Sequence, residues 1–170
     1  PPLVGVVHAA GVLDDGPLAE QSWSRFTEVL APKALGAWWL HEATQALPLQ
    51  AFVLFSSVVG SLGSAGQAGY AAANAFLDGL AHHRRGAGLA AVSIGWGPWA
   101  GEGMASRLGA RQQQRIANAG LRAIEPAQGL RWLAQLLCSD LPHVIVAPLD
   151  RSRLAARIGD DAHPSVRGRH

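Results

Sequence analysis

Residues 51–57 decide the fold, since they read AFVLFSS, an apolar strand-like run over 51–55 followed directly by two serines. A short apolar run without polar alternation predicts a parallel β-strand that is covered on both faces. Comparable runs occur at 3–7, 91–96 and 144–147. The sequence therefore predicts a parallel sheet of four strands.

Helical patterns fill the intervals between these strands. Residues 22–46 form a helical stretch that contains Pro32, and because a helix tolerates proline best in its first turn, we expect two helices that divide near Ala31. Residues 69–85 carry apolar side chains at helical spacing, and another helix is expected over 126–138. This alternation predicts the α/β class, as a Rossmann-like, doubly wound parallel sheet that binds ligands beyond the carboxyl ends of its strands.

The composition is typical of one globular domain. Of 170 residues, 49% are apolar and 15% charged, and no apolar run approaches the roughly 18–20 residues that a membrane span needs. The start shows no signal-peptide pattern, so we expect a cytoplasmic protein. With a net charge of +2, no nucleic-acid or membrane partner is expected. We expect residues 1–158 to form the domain and 159–170 a basic tail or linker.

Cysteine usage argues against a metal centre. Cys138 is the single cysteine, so the chain has neither an internal disulfide nor a pair of thiolates for zinc. We expect no metal site, and Cys138 is interpreted as a core residue of the last predicted helix.

The chain contains a single lysine, Lys33, and a single tyrosine, Tyr70, beside thirteen arginines. Arginine cannot replace lysine where a compact ammonium must sit beside a phenol and tune its acidity. The alternative is that Lys33 is a chance survivor in a codon-biased sequence. Asn74 follows Tyr70 by four residues, so the two side chains lie on one helix face, one turn apart.

Small and polar residues follow the predicted strands. The first predicted strand is followed by HAAG at 8–11, the second by the serines at 56–57 and the third by GPW at 97–99. Because ligands bind at this edge of a doubly wound sheet, we expect four side chains to converge there. These four are Lys33, Ser57, Tyr70 and Asn74.

Five segments carry a family resemblance. They are HAAGVLDD at 8–15, PK at 32–33, FSS at 55–57, GQAGYAAANAFLD at 66–78 and WGPW at 96–99. The set resembles the ketoreductase domain of modular type I polyketide synthases, a branch of the short-chain dehydrogenase/reductase superfamily. In most members of that superfamily the lysine follows the tyrosine by four residues. Here asparagine holds that place and lysine stands at 33, as in the ketoreductases of polyketide and fatty-acid synthases.

The resemblance implies an NADPH-dependent reduction of a β-ketoacyl thioester carried by an acyl carrier protein. Tyr70 would be the general acid, and Lys33 would tune its pKa by favouring the phenolate. Proton transfer from a positioned acid typically raises the rate of a reaction by about 10²–10⁴-fold. Ser57 would orient the carbonyl, and Asn74 would hold the lysine and a proton-relay water.

Further positions follow from the resemblance. Cofactor contacts are expected at His8, Ala9, Ala10, Gly11, Gly97, Pro98 and Trp99. Substrate or stereocontrol positions are expected at Leu13, Asp14, Asp15, Leu62 and Met104. The Leu-Asp-Asp segment marks ketoreductases that give the 3R, or B-type, alcohol, and A-type enzymes usually carry tryptophan where Leu62 stands. Ala72, where epimerising B-type domains carry proline, narrows the expectation to the B1 subclass.

Residues 102–119 are expected to form a lid over the site. The residues themselves suggest this, since Gly101 and Gly103 can act as hinges and Met104 can offer an adaptable contact.

Structural alternatives remain open for several of these residues. His8 is equally consistent with a satisfied structural histidine, and Asp14 and Asp15 with turn residues. Tyr70 and Asn74 are consistent with an ordinary packed aromatic and an exposed helix residue. Ser56 is interpreted as finishing its strand and is left out of the catalytic set.

A glycine-rich turn of the Gly-x-Gly-x-x-Gly type follows none of the predicted strands. Residues 60–66 are glycine-rich but come after the catalytic serine, and we interpret them as a loop beside the substrate. The chain is therefore expected to be the catalytic, carboxyl-terminal part of such a domain, without the cofactor-binding amino-terminal half. Two hypotheses follow: a reductase segment that is active only within a whole synthase, or a non-catalytic remnant that keeps the fold.

Overall fold

The computed structural model describes residues 1–101, 114, 116, 118, 120–137, 139–150 and 152. The predictions for Met104, Cys138, the lid over 102–119 (apart from three residues) and the tail over 159–170 lie outside these residues. The strands are β1 (Gly5–His8), β2 (Ala51–Ser57), β3 (Val92–Trp96) and β4 (His143–Val146). The helices are α1 (Trp23–Leu30), α2 (Gly36–Thr44), α3 (Val58–Leu62), α4 (Ala68–Gly86) and α5 (Pro126–Leu136). A 3₁₀ turn (Leu18–Glu20) precedes α1, and a π-helical turn (Ala31–Leu35) joins α1 to α2.

The four strands form one parallel sheet in the order β1-β2-β3-β4. In register, His8 lies beside Leu54 and Ser57 beside Trp96, so the carboxyl ends of the first three strands lie at one edge. The predicted α/β fold with a parallel sheet is confirmed. β2 is longer than expected, since Ser56 and Ser57 belong to the strand.

The crossovers place helices against the sheet around an apolar core. α4 contacts β2 and β3 and also contacts α1 and the π turn, so the first two crossovers lie on one face of the sheet. Seven buried residues form the core cluster beneath them: Ala37, Phe52, Leu54, Leu77, Leu80, Ala81 and Ala91. This packing holds α4 against β2.

The division expected near Ala31 is only partly correct, because the helical backbone does not stop there. Leu30 and Ala31 both keep right-handed helical dihedral angles, and the π turn carries the chain directly into α2. Pro32 has no N–H to donate, and a wider helical turn absorbs the missing hydrogen bond without ending the helix. Lys33 therefore lies inside a π turn rather than at the opening of a helix.

The described residues divide into two compact units. The first comprises residues 1–96 and 127–146, and the second comprises the described residues of 97–126 and of the chain after 146. In the second unit Trp99 pairs with Ile124 in a parallel bridge and Leu121 with Leu149 in an antiparallel one. Among the described helices, none has the length and apolar character needed to cross a membrane.

Candidate active site

Lys33 is buried beside Tyr70 in the first unit. Its side chain reaches from the π turn toward the end of β2, where Nζ donates a hydrogen bond of 2.7 Å to the main-chain oxygen of Phe55. Nζ also lies 5.6 Å from the centroid of the Tyr70 ring. Only 2% of the Lys33 surface is exposed, and this burial lowers the pKa of its ammonium to about 8. The buried ammonium thus lies beside the partly buried tyrosine ring.

Two residues at the carboxyl end of β1 and just beyond it shape the space around Lys33. A methyl group at Gly11 would lie 2.9 Å from Cε of Lys33, so the absence of a side chain at Gly11 makes room for the lysine stem. The ring of His8 is buried, and its Nε2 donates to the main-chain oxygen of Lys33 at 3.0 Å. His8 was interpreted either as a cofactor contact or as a structural residue. This contact supports a structural role, because the ring holds the main chain at Lys33.

Tyr70 lies in the first turn of α4 and is partly buried. Burial raises the pKa of its phenol, side-chain hydrogen bonding with Ser57 and Asn74 works in the opposite direction, and the charge of Asp15 raises it. The amide of Asn74 donates to the main-chain oxygen of Tyr70 at 2.7 Å. The buried Oδ1 of Asn74 has no hydrogen-bond partner among the described residues. The predicted quartet of Lys33, Ser57, Tyr70 and Asn74 therefore lies in one cluster.

The two serines at the end of β2 have different contacts. Ser57 has extended backbone angles and caps α3, since its Oγ accepts from the N–H of Val59 at 3.2 Å. Ser56 donates through its hydroxyl to the main-chain oxygen of Asn74 at 3.2 Å and so ties β2 to α4. That contact agrees with leaving Ser56 out of the catalytic set.

The glycine-rich stretch over 60–66 is not wholly a loop, and that interpretation is corrected. Its first three residues belong to α3, which begins directly after Ser57. A methyl group at Gly60 would lie 3.0 Å from Cβ of Asn74 and 3.1 Å from the backbone nitrogen of Ala75. Glycine at position 60 therefore lets α3 approach α4 closely at the site.

The Leu13-Asp14-Asp15 segment is held at both carboxylates. Arg25 forms a two-point ion pair with Asp14, with one of its hydrogen bonds at 2.6 Å, and donates to the main-chain oxygen of Asp15 at 3.1 Å. The side chain of Gln67, just before α4, donates to the Asp15 carboxylate at 3.0 and 3.3 Å. Hydrogen bonding with Arg25 also lowers the pKa of Asp14. The segment is therefore anchored to α1 and to the start of α4 rather than forming a free turn.

Sequence reasoning did not single out Arg25 or Gln67. Both make their contacts across sequence separations of 11 and 52 residues, so no local pattern announces them. The glycines at 16 and 66 were the available signal: Gly66 has a positive φ of 83°, and the N–H of Gly16 donates to its oxygen at 2.8 Å. A left-handed glycine at a close backbone approach is a recognisable turn position.

The remaining predicted residues are more scattered. Ala9 and Ala10 are exposed beyond β1, Leu13 is partly buried, and 71% of the Leu62 surface is exposed. Gly97, Pro98 and Trp99 belong to the second unit, where the Pro98 oxygen accepts from Ile124 N at 2.7 Å. No group of side chains suited to hold a metal ion occurs among the described residues.

The chemistry available to this cluster is proton transfer. A partly buried phenol lies beside an ammonium whose pKa is about 8, and the Ser57 hydroxyl lies close enough to the phenol to influence it. A positioned acid of this kind can protonate an oxygen that becomes negative during a reaction.

Comparison with known proteins gives one family and a consistent set of relatives. Residues 1–101 match the family model of the KR domain. Over 98% of its length the chain is 44% identical to a phenolphthiocerol synthesis type I polyketide synthase of Mycobacterium bovis. It is 51% identical over 82% of its length to the spectinabilin polyketide synthase system protein NorB of Streptomyces orinoci. A Mycobacterium tuberculosis relative of the same phenolphthiocerol class, 44% identical, has a name that provisionally describes it as inactive.

Solved structures give the same result. The chain resembles an A-type ketoreductase from a modular polyketide synthase with a TM-score of 0.85 and 41% identity, over 94% of this chain. The first ketoreductase of the tylosin synthase matches with a TM-score of 0.83 and 41% identity, over 92% of this chain. The chain spans 34% of each of these two solved chains and only 8% and 6% of the mycobacterial and Streptomyces synthases.

Proposed function

Because the chain belongs to the KR domain family, the ketoreductases of polyketide synthases, we propose that it performs the NADPH-dependent reduction of a β-ketoacyl thioester on an acyl carrier protein. The product is the β-hydroxyacyl thioester. The observation that carries this proposal is the buried pairing of Lys33 Nζ with the Tyr70 ring at 5.6 Å. Burial lowers the pKa of the Lys33 ammonium to about 8, so it can release and regain a proton in a relay more readily than a surface lysine.

Tyr70 acts as the general acid. NADPH, when bound, supplies the hydride to the carbonyl carbon, and the carbonyl oxygen then takes a proton from the Tyr70 hydroxyl. Ser57 supports this step because its hydroxyl is close enough to influence the Tyr70 phenol and can hold the same carbonyl oxygen. The positive charge of Lys33 favours the phenolate that results.

Asn74 contributes to the return of the proton. Its Nδ2 is committed to the Tyr70 main-chain oxygen at 2.7 Å, whereas its buried Oδ1 has no hydrogen-bond partner among the described residues. A buried amide oxygen without a partner fits an acceptor for a relay water, since buried polar atoms are normally satisfied. Lys33 and Asn74 thus supply the path by which the tyrosinate regains its proton.

Ala9 and Ala10 are the proposed cofactor contacts of the first unit. Both are small and exposed just beyond the carboxyl end of β1, where ligands of this fold class bind. His8 is also a proposed contact at the end of β1, and its Nε2 donates to the Lys33 main-chain oxygen. Gly11 contributes by admitting the Lys33 stem, and Gly97, Pro98 and Trp99 stay proposed contacts from the second unit.

The stereochemical course is proposed to be B-type, and within it B1. The support is the anchored segment 13–15, in which Gln67 fixes the Asp15 carboxylate close enough to influence the Tyr70 phenol. Chiral analysis of the alcohol formed by the full-length protein tests this: a 3R product agrees, and a predominantly 3S product overturns the role of Asp15. Leu62 stands exposed where A-type enzymes carry tryptophan, and Met104 and the lid keep their proposed roles toward the substrate.

The domain is proposed to extend over 1–158, with 159–170 as a tail, and to work in the cytoplasm as the catalytic, carboxyl-terminal part of a complete ketoreductase. The chain spans 34% of the solved ketoreductase chains, which supports a partial domain; its carboxyl-terminal placement is part of the proposal. The isolated 170 residues are then expected to oxidise no NADPH, and turnover by them alone would contradict the proposal.

A non-catalytic role is the second candidate, because one relative has a name that provisionally describes it as inactive. The two candidates are separated by measuring NADPH oxidation by the full-length protein with a β-ketoacyl thioester. Reduction that depends on Tyr70 supports the first. An unchanged background rate, with the fold intact by circular dichroism, supports the second.

A further inference from the structure

Asp78 continues the line of site residues along α4. Tyr70, Asn74 and Asp78 are spaced four residues apart, so all three lie on one side of the helix. Only 13% of the Asp78 side chain is exposed. A largely buried carboxylate on the site face of the helix has no part in the proton transfer described above.

Side chains from two neighbouring strands lie against this carboxylate, and one of them hydrogen-bonds it. The hydroxyl of Ser93, which is fully buried in β3, donates to Asp78 Oδ1 at 2.6 Å. His143, the first residue of β4, is paired in register with Ser93 and brings its Nε2 to 3.5 Å from the same oxygen. A methyl group at Gly95 would lie 3.3 Å from that nitrogen, so Gly95 leaves room for the imidazole. The position of the Asp78 carboxylate is therefore fixed from the sheet side.

Lys33 needs such a charge. A buried ammonium is costly unless an opposite charge or strong hydrogen bonds compensate it, and Lys33 has one carbonyl and one aromatic ring as its direct partners. Burial lowers the pKa of Lys33 to about 8, and the charge of Asp78 acts against this lowering. The sheet register brings the two groups to neighbouring positions, since Ser93, which donates to Asp78, is paired with Leu54, and the next residue, Phe55, accepts from Lys33 Nζ. The described residues contain no direct ion pair between the two side chains, so Asp78 acts through its charge rather than by contact.

We propose that Asp78 is a positioning residue for the reduction: hydrogen-bonded by Ser93, it is the counter-charge that keeps Lys33 protonated beside Tyr70. The proposal rests on the proposed function, since it matters only if Lys33 serves Tyr70. Nothing is transferred to or from Asp78 in the reaction.

The other titratable groups near this pair do not replace Asp78. His8 contacts the Lys33 backbone, and burial lowers the pKa of its ring, so it is already neutral over the alkaline range. Asp15 acts on Tyr70, whose pKa it raises. His143 faces Asp78 itself from β4. Asp78 is thus the carboxylate that acts on the ammonium.

The test is the pH dependence of kcat/KM for a β-ketoacyl thioester, measured on the full-length protein. Asp78→Asn keeps the size of the side chain and an oxygen that accepts from Ser93, and removes the charge. In this variant, the fall of kcat/KM on the alkaline side of the pH profile (the alkaline limb) is expected at lower pH than in the parent. The loss is expected to be about tenfold at pH 8.5 and under about threefold at pH 6.5, in the range of one opposite charge. An alkaline limb at the parent's pH overturns the proposal.

Ser93→Ala is the matched control. It removes the hydrogen bond to Asp78 and keeps the charge, so the limb should move much less than in Asp78→Asn while thermal stability falls. A limb displaced as far as in Asp78→Asn would assign the effect to packing and overturn the proposal. If Asp78→Asn does not fold, Asp78→Ser has the same prediction and is smaller.

Lys33→Ala separates this proposal from the proposed function. If Lys33→Ala reduces substrate at the parent rate, the role of Lys33 in the proposed function is wrong. If Lys33→Ala loses its rate but the limb does not move in Asp78→Asn, only the role of Asp78 is wrong. In the Lys33→Ala background, Asp78→Asn should cause no further change in the pH profile.

Discussion

Lys33 and Arg84 are two buried cations in the same unit with opposite tasks. Lys33 is 2% exposed, reaches a main-chain oxygen at 2.7 Å and lies beside an aromatic ring. Arg84 is 1% exposed, and its Nε donates to the Ala90 oxygen at 3.1 Å while its guanidinium stacks 3.8 Å from the Phe52 ring centroid. The cations thus share the same kinds of partner, a carbonyl and a ring.

The difference lies in which cation can lose its proton. Burial lowers the pKa of Lys33 to about 8, whereas a guanidinium stays charged even though burial lowers the pKa of Arg84. Arg84 also donates to Nδ1 of His41 at 3.0 Å, which requires a neutral imidazole. One region can therefore move a proton, and the other holds a fixed charge that stabilises the packing of α4 on β2.

The largest effect is expected from removing the acid Tyr70, which lies next to Lys33, the cation that can lose its proton. Tyr70→Phe should lower the rate of β-ketoacyl thioester reduction by about 10²–10⁴-fold, because the proton donor alone is removed. NADPH affinity, measured by fluorescence titration of the full-length protein, should stay within about twofold. Retention of the parent rate would end the assignment of Tyr70.

The next largest effect is expected when lysine and arginine are exchanged at the two buried positions. Lys33→Arg should lower the rate by at least about tenfold at equal charge, because the planar guanidinium neither fits beside Gly11 nor deprotonates. Arg84→Lys should leave kcat within about twofold and lower the stability of α4 by about 1–3 kcal/mol, since hydrogen bonds to buried groups are lost.

Hydrogen exchange of peptides from α4 measures that loss, and NADPH oxidation measures the rate. If Arg84→Lys reduced the rate as much as Lys33→Arg, the distinction between a proton-moving and a fixed cation would be lost.

The fold and the meeting of Lys33 with Tyr70 were predictable because both depend on short-range signals and topology. Apolar runs mark strands that are buried on both faces, and parallel order alone brings the ends of β1 and β2 near the start of α4. The helix α3 was missed because five residues carry too little pattern. Its formation depends on the Ser57 cap and on the close approach at Gly60.

The contacts that hold the site residues in place were not predictable in the same way. Gln67 meets Asp15 across 52 positions, and Ser93 meets Asp78 across 15. Such pairs leave no periodicity in the sequence and become visible only when strands and helices are packed. The π turn at Lys33 was likewise hidden, since Pro32 is equally consistent with a helix start.

A smaller effect is expected from crowding Lys33 without changing its charge. Gly11→Ala places a methyl group 2.9 Å from Cε of Lys33, so the lysine stem must shift and the rate should fall by several-fold, within about tenfold. Gly79→Ala is the control, because its methyl group meets no atom within 4 Å and alanine favours the helix. Equal rates in the two variants would show that the fit of Lys33 against Gly11 does not matter.

The smallest effect is expected on stability at acid pH in the region around Arg84, through its partner His41. Burial, followed by the charges of Arg84 and His83, lowers the pKa of His41, while Glu42 opposes this. The unfolded chain therefore binds the proton more readily, so stability rises with pH up to about 6.5 and is lost as pH falls below it. His8, with a pKa that burial also lowers, adds a slope of the same sign.

His41→Gln removes the titrating ring and keeps an oxygen that can accept from Arg84, so the acid loss of protection should become smaller but not vanish. Hydrogen exchange of peptides from α2 and α4 at pH 7.5 and 5.5, corrected for intrinsic rates, measures the difference. The same change should leave the alkaline limb of the reduction untouched, because that limb depends on Lys33. An unchanged acid slope in His41→Gln, or a displaced alkaline limb, would mean that the two buried cations are not separate systems.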